Sequence, residues 1–278
     1  RRFGKDIHHF SQIIRRGIVD SVEKDYDYLA KEGTVKRYLN FSEVPIGELA
    51  GTWYILGRVN ETVNELRMCA KDSGLYYADN RGNKSFDVKQ WRAIKAWTTL
   101  SKDKKIFKKE AENMYRYIRE LKAPKYRTPK FWMNTSDHEE LSFVDLIDYC
   151  GLDLDVEHQI LSWFDILKRN FTPNQVAYFI RLLERYGQKT LDEEPDIIID
   201  TIHSVKGGEA NNVLIYSKAN WPSAFINKNN AQQSDEKRVI YTGVTRAKDS
   251  LHILSTDHKF NYPIGEDYLI FLQESKNV

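Results

Sequence analysis

Cysteine is scarce in this chain, because its 278 residues include only Cys69 and Cys150. The two stand far apart and form no Cys-x-x-Cys pair, which argues against a disulfide framework and favours a reducing compartment. The 7 histidines show none of the His-x-x-x-His or Cys/His spacings that bind zinc. We therefore expect no metal site within this chain.

Long apolar runs are missing as well. No segment approaches the ~18 residues that span a bilayer, and the first residues lack the apolar core of a signal peptide. Hydrophobic residues make up 41% and charged residues 29% of the sequence, as in soluble globular proteins. We expect a cytoplasmic protein without a membrane partner. Because the chain does not begin with methionine, we also expect it to be a fragment of a longer polypeptide.

Two motifs of nucleotide hydrolases are absent from the sequence. No GxxxxGK[ST] phosphate-binding loop occurs, since the lysine of Gly82-Asn83-Lys84-Ser85 does not follow a glycine. No apolar strand ends in the Asp-Glu pair that holds Mg²⁺; Asp200 ends such a run, but Thr201 follows it. The nucleotide cradle and the Mg²⁺ ligands of any ATPase built from this chain must therefore come from a preceding domain.

Basic residues are missing from one part of the chain. Residues 131–165 contain no lysine or arginine and 9 acidic residues, whereas residues 101–130 contain 11 basic and 4 acidic residues. Two interpretations stay open: two solvated helical faces of opposite sign, or a basic element on nucleic acid beside an acidic element that faces another domain.

Strand patterns occur at both ends of the chain. They are separated by patterns with helical spacing, of which the first places Ile7, Phe10, Ile13 and Ile14 on one face. Such alternation predicts an α/β fold, a mainly parallel sheet flanked by helices. The predicted strands are Thr34–Phe41, Trp53–Gly57, Leu75–Ala78, Asp196–Thr201, Val213–Tyr216 and Leu251–Ser255.

The middle of the chain reads differently, because its apolar residues recur almost entirely at helical spacing. We therefore divide the sequence into residues 1–100 with the first part of the sheet domain, residues 101–190 as an all-helical inserted subdomain, and residues 191–278 with the second part. In the last part, residues 228–236 are polar and predict an exposed loop, and Glu236–Lys248 predicts a helix.

Two blocks in the last part carry the most specific signal. The first is Thr201-Ile202-His203-Ser204-Val205-Lys206-Gly207-Gly208-Glu209, and the second is Glu236–Lys248, which contains Thr245-Arg246-Ala247-Lys248. Together they resemble motifs V and VI of superfamily 1 helicases of the UvrD/Rep/PcrA type. The family pattern T-x-H-x-x-K-G-L-E is matched except that Gly208 replaces the leucine. In the pattern E-x-R-x-x-Y-V-x-x-T-R-A, Thr242 replaces the valine.

Two further stretches resemble the same family less closely. Arg2 stands at the arginine of a motif IV Tyr-Arg pair, although Arg1 replaces the tyrosine. The block Trp53–Asn60 resembles a family strand with the pattern LxRxN, which places Arg58 and Asn60 just after the strand. Ligands of parallel sheets bind beyond the carboxyl ends of the strands. We therefore expect Arg58 and Asn60 to converge there with His203 and Lys206.

The resemblance implies that the chain is the second RecA-like domain of such a helicase, with its helical insertion. It implies that Arg246 reaches the γ-phosphate of ATP and that Arg2 is a second arginine finger. It places Glu209 by the nucleotide ribose and Lys206 on the phosphate side, while Gly207 lets backbone N–H groups approach an anion. The alternatives are a helix-surface arginine at position 246 and a plain strand followed by a glycine turn.

The resemblance also implies DNA contacts. Thr201 and His203 would contact the single strand from motif V, and Arg58 and Asn60 would contact it from their strand end. Bases also stack on exposed aromatic rings at ~1–3 kcal/mol each. We expect most of the tryptophans to be buried, and Trp221, just past a predicted strand, to be exposed for this purpose.

The sequence thus predicts the C-terminal half of an ATP-dependent DNA helicase or translocase, with 3′ to 5′ polarity by resemblance. Its partners would be single-stranded or junction DNA and an N-terminal RecA-like domain of the same polypeptide, which would bind ATP with Mg²⁺. A bacterial or phage-infected cytoplasm fits this reading. The alternatives are a nucleic-acid-binding or partner-binding module on a former motor fold, and the motor portion of a helicase–nuclease.

Overall fold

The computed structural model describes residues 3–22, 31–118, 136, 138–150, 156–220, 228–256 and 261–276 of the chain. It separates into two compact units: one combines Arg1–Ser85 with Glu193–Val278, and the other is Phe86–Asp192. The helix Val88–Leu100 belongs to the inserted unit, whereas the division drawn from the sequence began the insertion at residue 101. Residues 119–135, where the basic stretch ends and the acidic stretch begins, lie outside the described residues.

The described elements follow one another in a strand–helix alternation that the insertion interrupts. In chain order they are α1 (Lys5–Arg16), β1 (Thr34–Tyr38), β2 (Trp53–Gly57), α2 (Asn60–Asp72), α3 (Val88–Leu100), β3 (Ile106–Phe107), α4 (Lys108–Tyr115), β4 (Glu140–Leu141), α5 (Phe143–Cys150), α6 (Trp163–Ile166), α7 (Pro173–Asp192), β5 (Ile197–Thr201), β6 (Ala210–Tyr216), α8 (Asn230–Val244), β7 (Ala247–Leu254) and α9 (Ile264–Ser275). Short 3₁₀ turns occur at Phe41–Glu43 and Val156–Ile160.

One five-stranded sheet organises the first unit, with the strand order β1–β7–β6–β2–β5. Every neighbouring pair is parallel. Parallel pairing requires each connection to return across the sheet, which is why helices lie on it. This confirms the predicted α/β fold, with a mainly parallel sheet flanked by helices.

The two faces of the sheet bury separate apolar clusters. On one face, Ile7, Phe10 and Ile14 of α1 pack with residues of α8, α9 and the strands. On the other face, Val63 and Leu66 of α2 pack with residues of β2, β5 and β6. Burying each such side chain contributes roughly 1.5–3 kcal/mol, so the apolar spacing seen in the sequence is what attaches these helices to the sheet.

The inserted unit is built around aromatic side chains. The Asp87 carboxylate accepts a hydrogen bond from the Lys89 amide and caps α3. The Trp91 ring stacks against Phe179 of α7, and the Trp97 indole N–H donates to the Leu161 carbonyl over 2.9 Å. A two-residue antiparallel pairing of β3 with β4 adds the only strands among the described residues of this unit. The described tryptophans are therefore core residues.

Two predicted element boundaries in the last part of the chain are wrong. Residues 228–236 are not a loop, because Asn229 caps a helix that already begins at Asn230, and its side chain accepts a hydrogen bond from Gln232. The helix ends at Val244 rather than continuing to Lys248, because Ala247 pairs with Ala210 and starts β7. Arg246 therefore lies in the turn between α8 and β7, not on a helix surface.

A further prediction fails at Leu75–Ala78, where the structure shows isolated bridges from Ala78 to Ile198 and Lys84 instead of a strand. None of the helices among the described residues is both long and apolar enough to cross a membrane.

Candidate functional site at the two ends of the parallel strands

The motif V segment crosses the sheet from one end of the strands to the other. It leaves the carboxyl end of β5 at Thr201 and enters the amino end of β6 at Ala210. Because all five strands are parallel, residues near Thr201 and residues near Ala210 lie at opposite ends of the strands. The predicted site residues are therefore divided between two places, not gathered at the carboxyl ends.

Local hydrogen bonds give this segment its shape. The Thr201 hydroxyl accepts from the Ser204 amide over 3.3 Å, and the Ser204 hydroxyl donates to the Thr201 carbonyl over 2.8 Å. The buried side chains of Ile202 and Val205 attach the segment to the apolar cluster beneath it. His203 between them is exposed. The segment is thus a fixed turn that presents His203 to solvent, followed by exposed Lys206 and Gly207.

The two glycines of this segment are used for different reasons. Gly207 has φ +95°, a left-handed conformation that other residues rarely adopt. Gly208 has no such backbone, but a Cβ atom there would meet the Tyr54 hydroxyl. The replacement of the family leucine by Gly208 thus makes room for Tyr54.

At the carboxyl ends of the strands, Arg58 is held by a buried carboxylate. Arg58 Nε donates to Glu236 Oε2 over 2.6 Å, and Arg58 Nη2 donates to Glu236 Oε1 over 3.0 Å. Lys228 Nζ lies 3.2 Å from Glu236 Oε1. The Glu236 side chain is only 8% exposed, against 22% for Arg58. We call Arg58, His203, Lys228 and Glu236 the carboxyl-end cluster.

His203 belongs to this cluster because its electrostatic neighbours are Arg58 and Glu236. Partial burial of the imidazole and then the positive charge of Arg58 lower the pKa of His203, while Glu236 acts in the opposite direction and Lys206 adds to the lowering. The imidazole is therefore neutral near pH 7. It can exchange hydrogen bonds with a ligand, but it does not supply a full positive charge.

The carboxyl ends also hold Asn60, although without a described contact to the cluster. Asn60 is exposed at the first position of α2, two residues after Arg58. The register of the sheet places Gly57 beside Thr201, and the Ile202 amide donates to the Gly57 carbonyl over 3.0 Å. The segments after β2 and β5 are thus direct neighbours, as expected from the sequence.

At the amino ends of the strands, Arg246 joins motif VI to motif V. Its Nε donates to the Thr242 carbonyl and its Nη1 to the Gly208 carbonyl, each over 3.0 Å. The Ala210 amide donates to the Arg246 carbonyl over 3.0 Å. Arg246 is partly buried. Side chain and main chain together fix this arginine against the motif V segment.

A second contact joins the same two motifs. Lys248 Nζ lies 2.6 Å from Glu209 Oε1, and both side chains are more than a third exposed. Nearby, the Gly4 amide donates to the Lys248 carbonyl over 3.3 Å, which brings the start of α1 to the same end of the sheet. We call Gly208, Glu209, Arg246 and Lys248 the amino-end cluster.

Two predicted site residues, Arg2 and Trp221, lie outside the described residues. Two residues that the sequence reasoning missed stand inside the site. In the sequence, Glu236 is recognisable only as the first position of the motif VI pattern. The basic residues around it are the one signal that could have indicated an ion pair. Tyr54 gave no signal, because its closeness to Gly208 depends on the crossing of the sheet.

Residues 158–258 match the family model of the UvrD-like helicase C-terminal domain. Among solved structures, the chain is similar to the C-terminal domain of a possible DNA helicase from Lactobacillus plantarum WCFS1, with 12% identity, 95% of each chain covered and a TM-score of 0.36. No curated protein matches the chain. The matched residues include motifs V and VI, so this part of the chain is similar to the C-terminal domain of UvrD-like helicases, as the two motifs indicate.

Proposed function

We propose that the chain is the C-terminal part of an ATP-dependent DNA helicase or translocase that moves 3′ to 5′ on single-stranded DNA. Its amino-end cluster faces ATP and its carboxyl-end cluster faces the strand. An N-terminal RecA-like domain of the same polypeptide supplies the nucleotide cradle and the Mg²⁺ ligands, because this chain has no phosphate-binding loop. The chain alone is therefore inactive as an ATPase.

The observation that carries this proposal is that two elements connect the clusters. The motif V segment runs from His203 in the carboxyl-end cluster to Glu209 in the amino-end cluster. Helix α8 contains Glu236 in its first half and ends just before Arg246. At ~1.5 Å per residue, Glu236 and the end of the helix at Val244 are about 12 Å apart. A change at one cluster can therefore reach the other through packed and hydrogen-bonded backbone.

The amino-end cluster has the composition of a γ-phosphate sensor. Arg246 is partly buried, and its guanidinium is already oriented by the Thr242 and Gly208 carbonyls. ATP with Mg²⁺ supplies the transferable phosphoryl group, and Arg246 stabilises its developing charge as an arginine finger. Glu209 lies near the ribose, and Lys206 and Gly207 lie on the phosphate side. Arg2 serves as a second finger.

The carboxyl-end cluster has the composition of a strand contact. Neutral His203 and the Thr201 segment meet the backbone or sugars, while the N–H groups of Arg58 that do not donate to Glu236 meet a phosphate. Asn60 lies beside them, and Trp221 stacks on a base. We expect the cations of this cluster to make DNA binding weaken as the salt concentration rises.

The test is ATP hydrolysis by the longer polypeptide that contains this chain, with and without single-stranded DNA. We expect the DNA-stimulated rate of Arg246→Ala to fall about 10³-fold or more, the range for an arginine finger, with nucleotide binding largely kept. Arg37→Ala is the matched control, because Arg37 lies on the edge strand β1 and donates to Ser255 over 2.8 Å. It should hydrolyse ATP at the wild-type rate.

Hydrolysis that is indifferent to Arg246→Ala would contradict the finger role. A wild type that binds single-stranded DNA but hydrolyses no ATP would leave a binding module on a former motor fold. DNA cleavage by the longer polypeptide would instead identify the motor portion of a helicase–nuclease.

A further inference from the structure

A short loop beside motif V has a fixed shape of its own. It spans residues 79–83 and is closed by the antiparallel bridge between Ala78 and Lys84. Asp79 Oδ1 accepts from the Arg81 and Asn83 amides, each over 2.9 Å, and Asp79 Oδ2 accepts from the Asn83 side chain over 2.8 Å. The loop is therefore held by one carboxylate, independently of the side chain at position 81.

Asn80 attaches this loop to the motif V segment. Its amide donates to Asp200 Oδ2 over 3.1 Å, and its side chain donates to the Ser204 carbonyl over 2.9 Å. Ser204 directly follows His203. Arg81 is the next residue after Asn80. Because consecutive Cα atoms are about 3.8 Å apart, the Arg81 side chain leaves the backbone close to the exposed turn of motif V.

Arg81 is the cation of this loop that stays available. It is exposed, and its guanidinium makes no hydrogen bond or ion pair with the described residues. Lys84, at the end of the loop, differs because its Nζ donates to the Glu193 carbonyl over 2.8 Å and lies 3.7 Å from Glu194 Oε1. Arg67, on α2, is likewise occupied, since its Nη2 donates to the Ile199 carbonyl over 3.2 Å.

We propose that the 79–83 loop extends the nucleic-acid surface of the carboxyl-end cluster, and that Arg81 binds a backbone phosphate of the strand next to the part held by His203. This inference rests on the proposed function. A planar guanidinium suits bidentate phosphate binding, and phosphate contacts position a strand without reading its sequence. Because the loop is attached to motif V, the Cα atom of Arg81 has a fixed position. The phosphate that Arg81 binds would therefore lie at a fixed distance along the strand from the nucleotide that contacts His203.

The experiment measures binding of the 278-residue chain to a fluorescent oligothymidine over a series of salt concentrations. We expect Arg81→Ala to weaken binding about twofold to tenfold and to lower the salt slope by about 0.7, the value for one phosphate of a single strand. Arg81→Lys keeps the charge and should keep most of the slope. Lys36→Ala is the matched charge control, because Lys36 is exposed on β1, the edge strand farthest from β5.

Each outcome separates the two proposals. If Arg81→Ala behaves like Lys36→Ala while His203→Ala weakens binding, the Arg81 inference is wrong and the strand contact by motif V stands. If the wild type does not bind the oligothymidine at all, both proposals fail. Thermal unfolding checks that each variant is folded. We expect Arg81→Ala to unfold at the same temperature as the wild type, because the loop uses only the main chain of Arg81.

Discussion

One buried carboxylate organises the cations of the carboxyl-end cluster. Glu236 is 8% exposed and accepts from Arg58 twice while Lys228 lies beside it. Burial alone would raise the pKa of Glu236, but the hydrogen bonds and charges of Arg58 and Lys228 lower it below its ordinary value. Removing either partner of such a buried pair is destabilising, because the charge that stays behind is buried without compensation.

We expect Glu236→Gln to lower the free energy of unfolding by about 1–3 kcal/mol at pH 7, because a charge-assisted pair becomes a neutral contact. The pKa of Glu236 is depressed in the folded state, so its contribution is present above the unfolded pKa and is lost as pH falls through the folded pKa. Urea unfolding at pH 7 and pH 4 should therefore show a smaller difference between variant and wild type in acid.

The exposed Glu48 provides the control, since Glu48→Gln changes the same functional group without a buried partner. Equal stability of Glu236→Gln and Glu48→Gln would contradict the anchoring role of Glu236.

Individual residues also show what the sequence could and could not predict. Five positions of motif V and the arginine of motif VI are recognisable because the family pattern keeps their spacing. The pairing of Arg58 with Glu236 was not predictable, since the two are joined only by the order of the strands. The docking of Asn80 on Ser204 depends on a bridge at Ala78 that leaves no periodic signal.

At the scale of elements, apolar runs predicted the central strands and failed at helix ends. β2, β5, β6 and β7 were found because buried parallel strands are apolar on both faces. The start of α8 differs from the prediction because its first turns are polar, as in a loop, and are held in a helix by the cap at Asn229. The Asn229 side-chain oxygen accepts a hydrogen bond from the Gln232 amide over 3.0 Å, and the Gln232 side-chain oxygen accepts one from the Asn229 amide over 3.1 Å. These reciprocal bonds form a capping box.

Asn229→Ala should lower the free energy of unfolding by about 1 kcal/mol, the usual loss for an N-cap. The effect should be local, so hydrogen exchange should accelerate at the amides of the first turn of α8 more than at Val244. Asn230→Ala is the matched control, because Asn230 is the same residue type, exposed, one position further on. If both variants unfold alike, Asn229 does not cap the helix.

At the scale of the whole molecule, two buried groups in the first unit respond to acid in opposite directions. Burial and then Lys36 lower the pKa of His252 to about 4, within a network that joins Ser250, Asn212 and Tyr38. Burial raises the pKa of Asp267 on α9 to about 6. Acidification therefore weakens the fold through His252, whose unfolded form protonates first, and strengthens it through Asp267, whose folded form protonates first.

We expect the wild type to show a shallow change in unfolding free energy between pH 7 and pH 5, because the two contributions offset each other. Asp267→Asn removes the cost of a buried carboxylate, so it should be more stable than the wild type by about 1–3 kcal/mol at pH 7.5. This advantage should shrink as pH falls through 6 and be small near pH 4, where the folded carboxyl is protonated and the unfolded carboxyl, with an ordinary pKa of 3.8, is partly protonated. Urea unfolding across this range checks it, and a constant difference would contradict the assignment.

The double connection between the two clusters limits how the first unit can move. The motif V segment and α8 leave the carboxyl-end cluster separately and meet again where Arg246 donates to the Gly208 carbonyl. Because the motif V segment and α8 are joined in this way, neither can lengthen or bend alone without breaking the hydrogen bond between Arg246 and Gly208. Rotation of the sheet as one body is the motion that preserves it, and hinged rotations of this kind are common in closing domains. In a motor built on this chain, each step along the strand would then begin as a rotation of the whole sheet, and this rotation would produce the displacement.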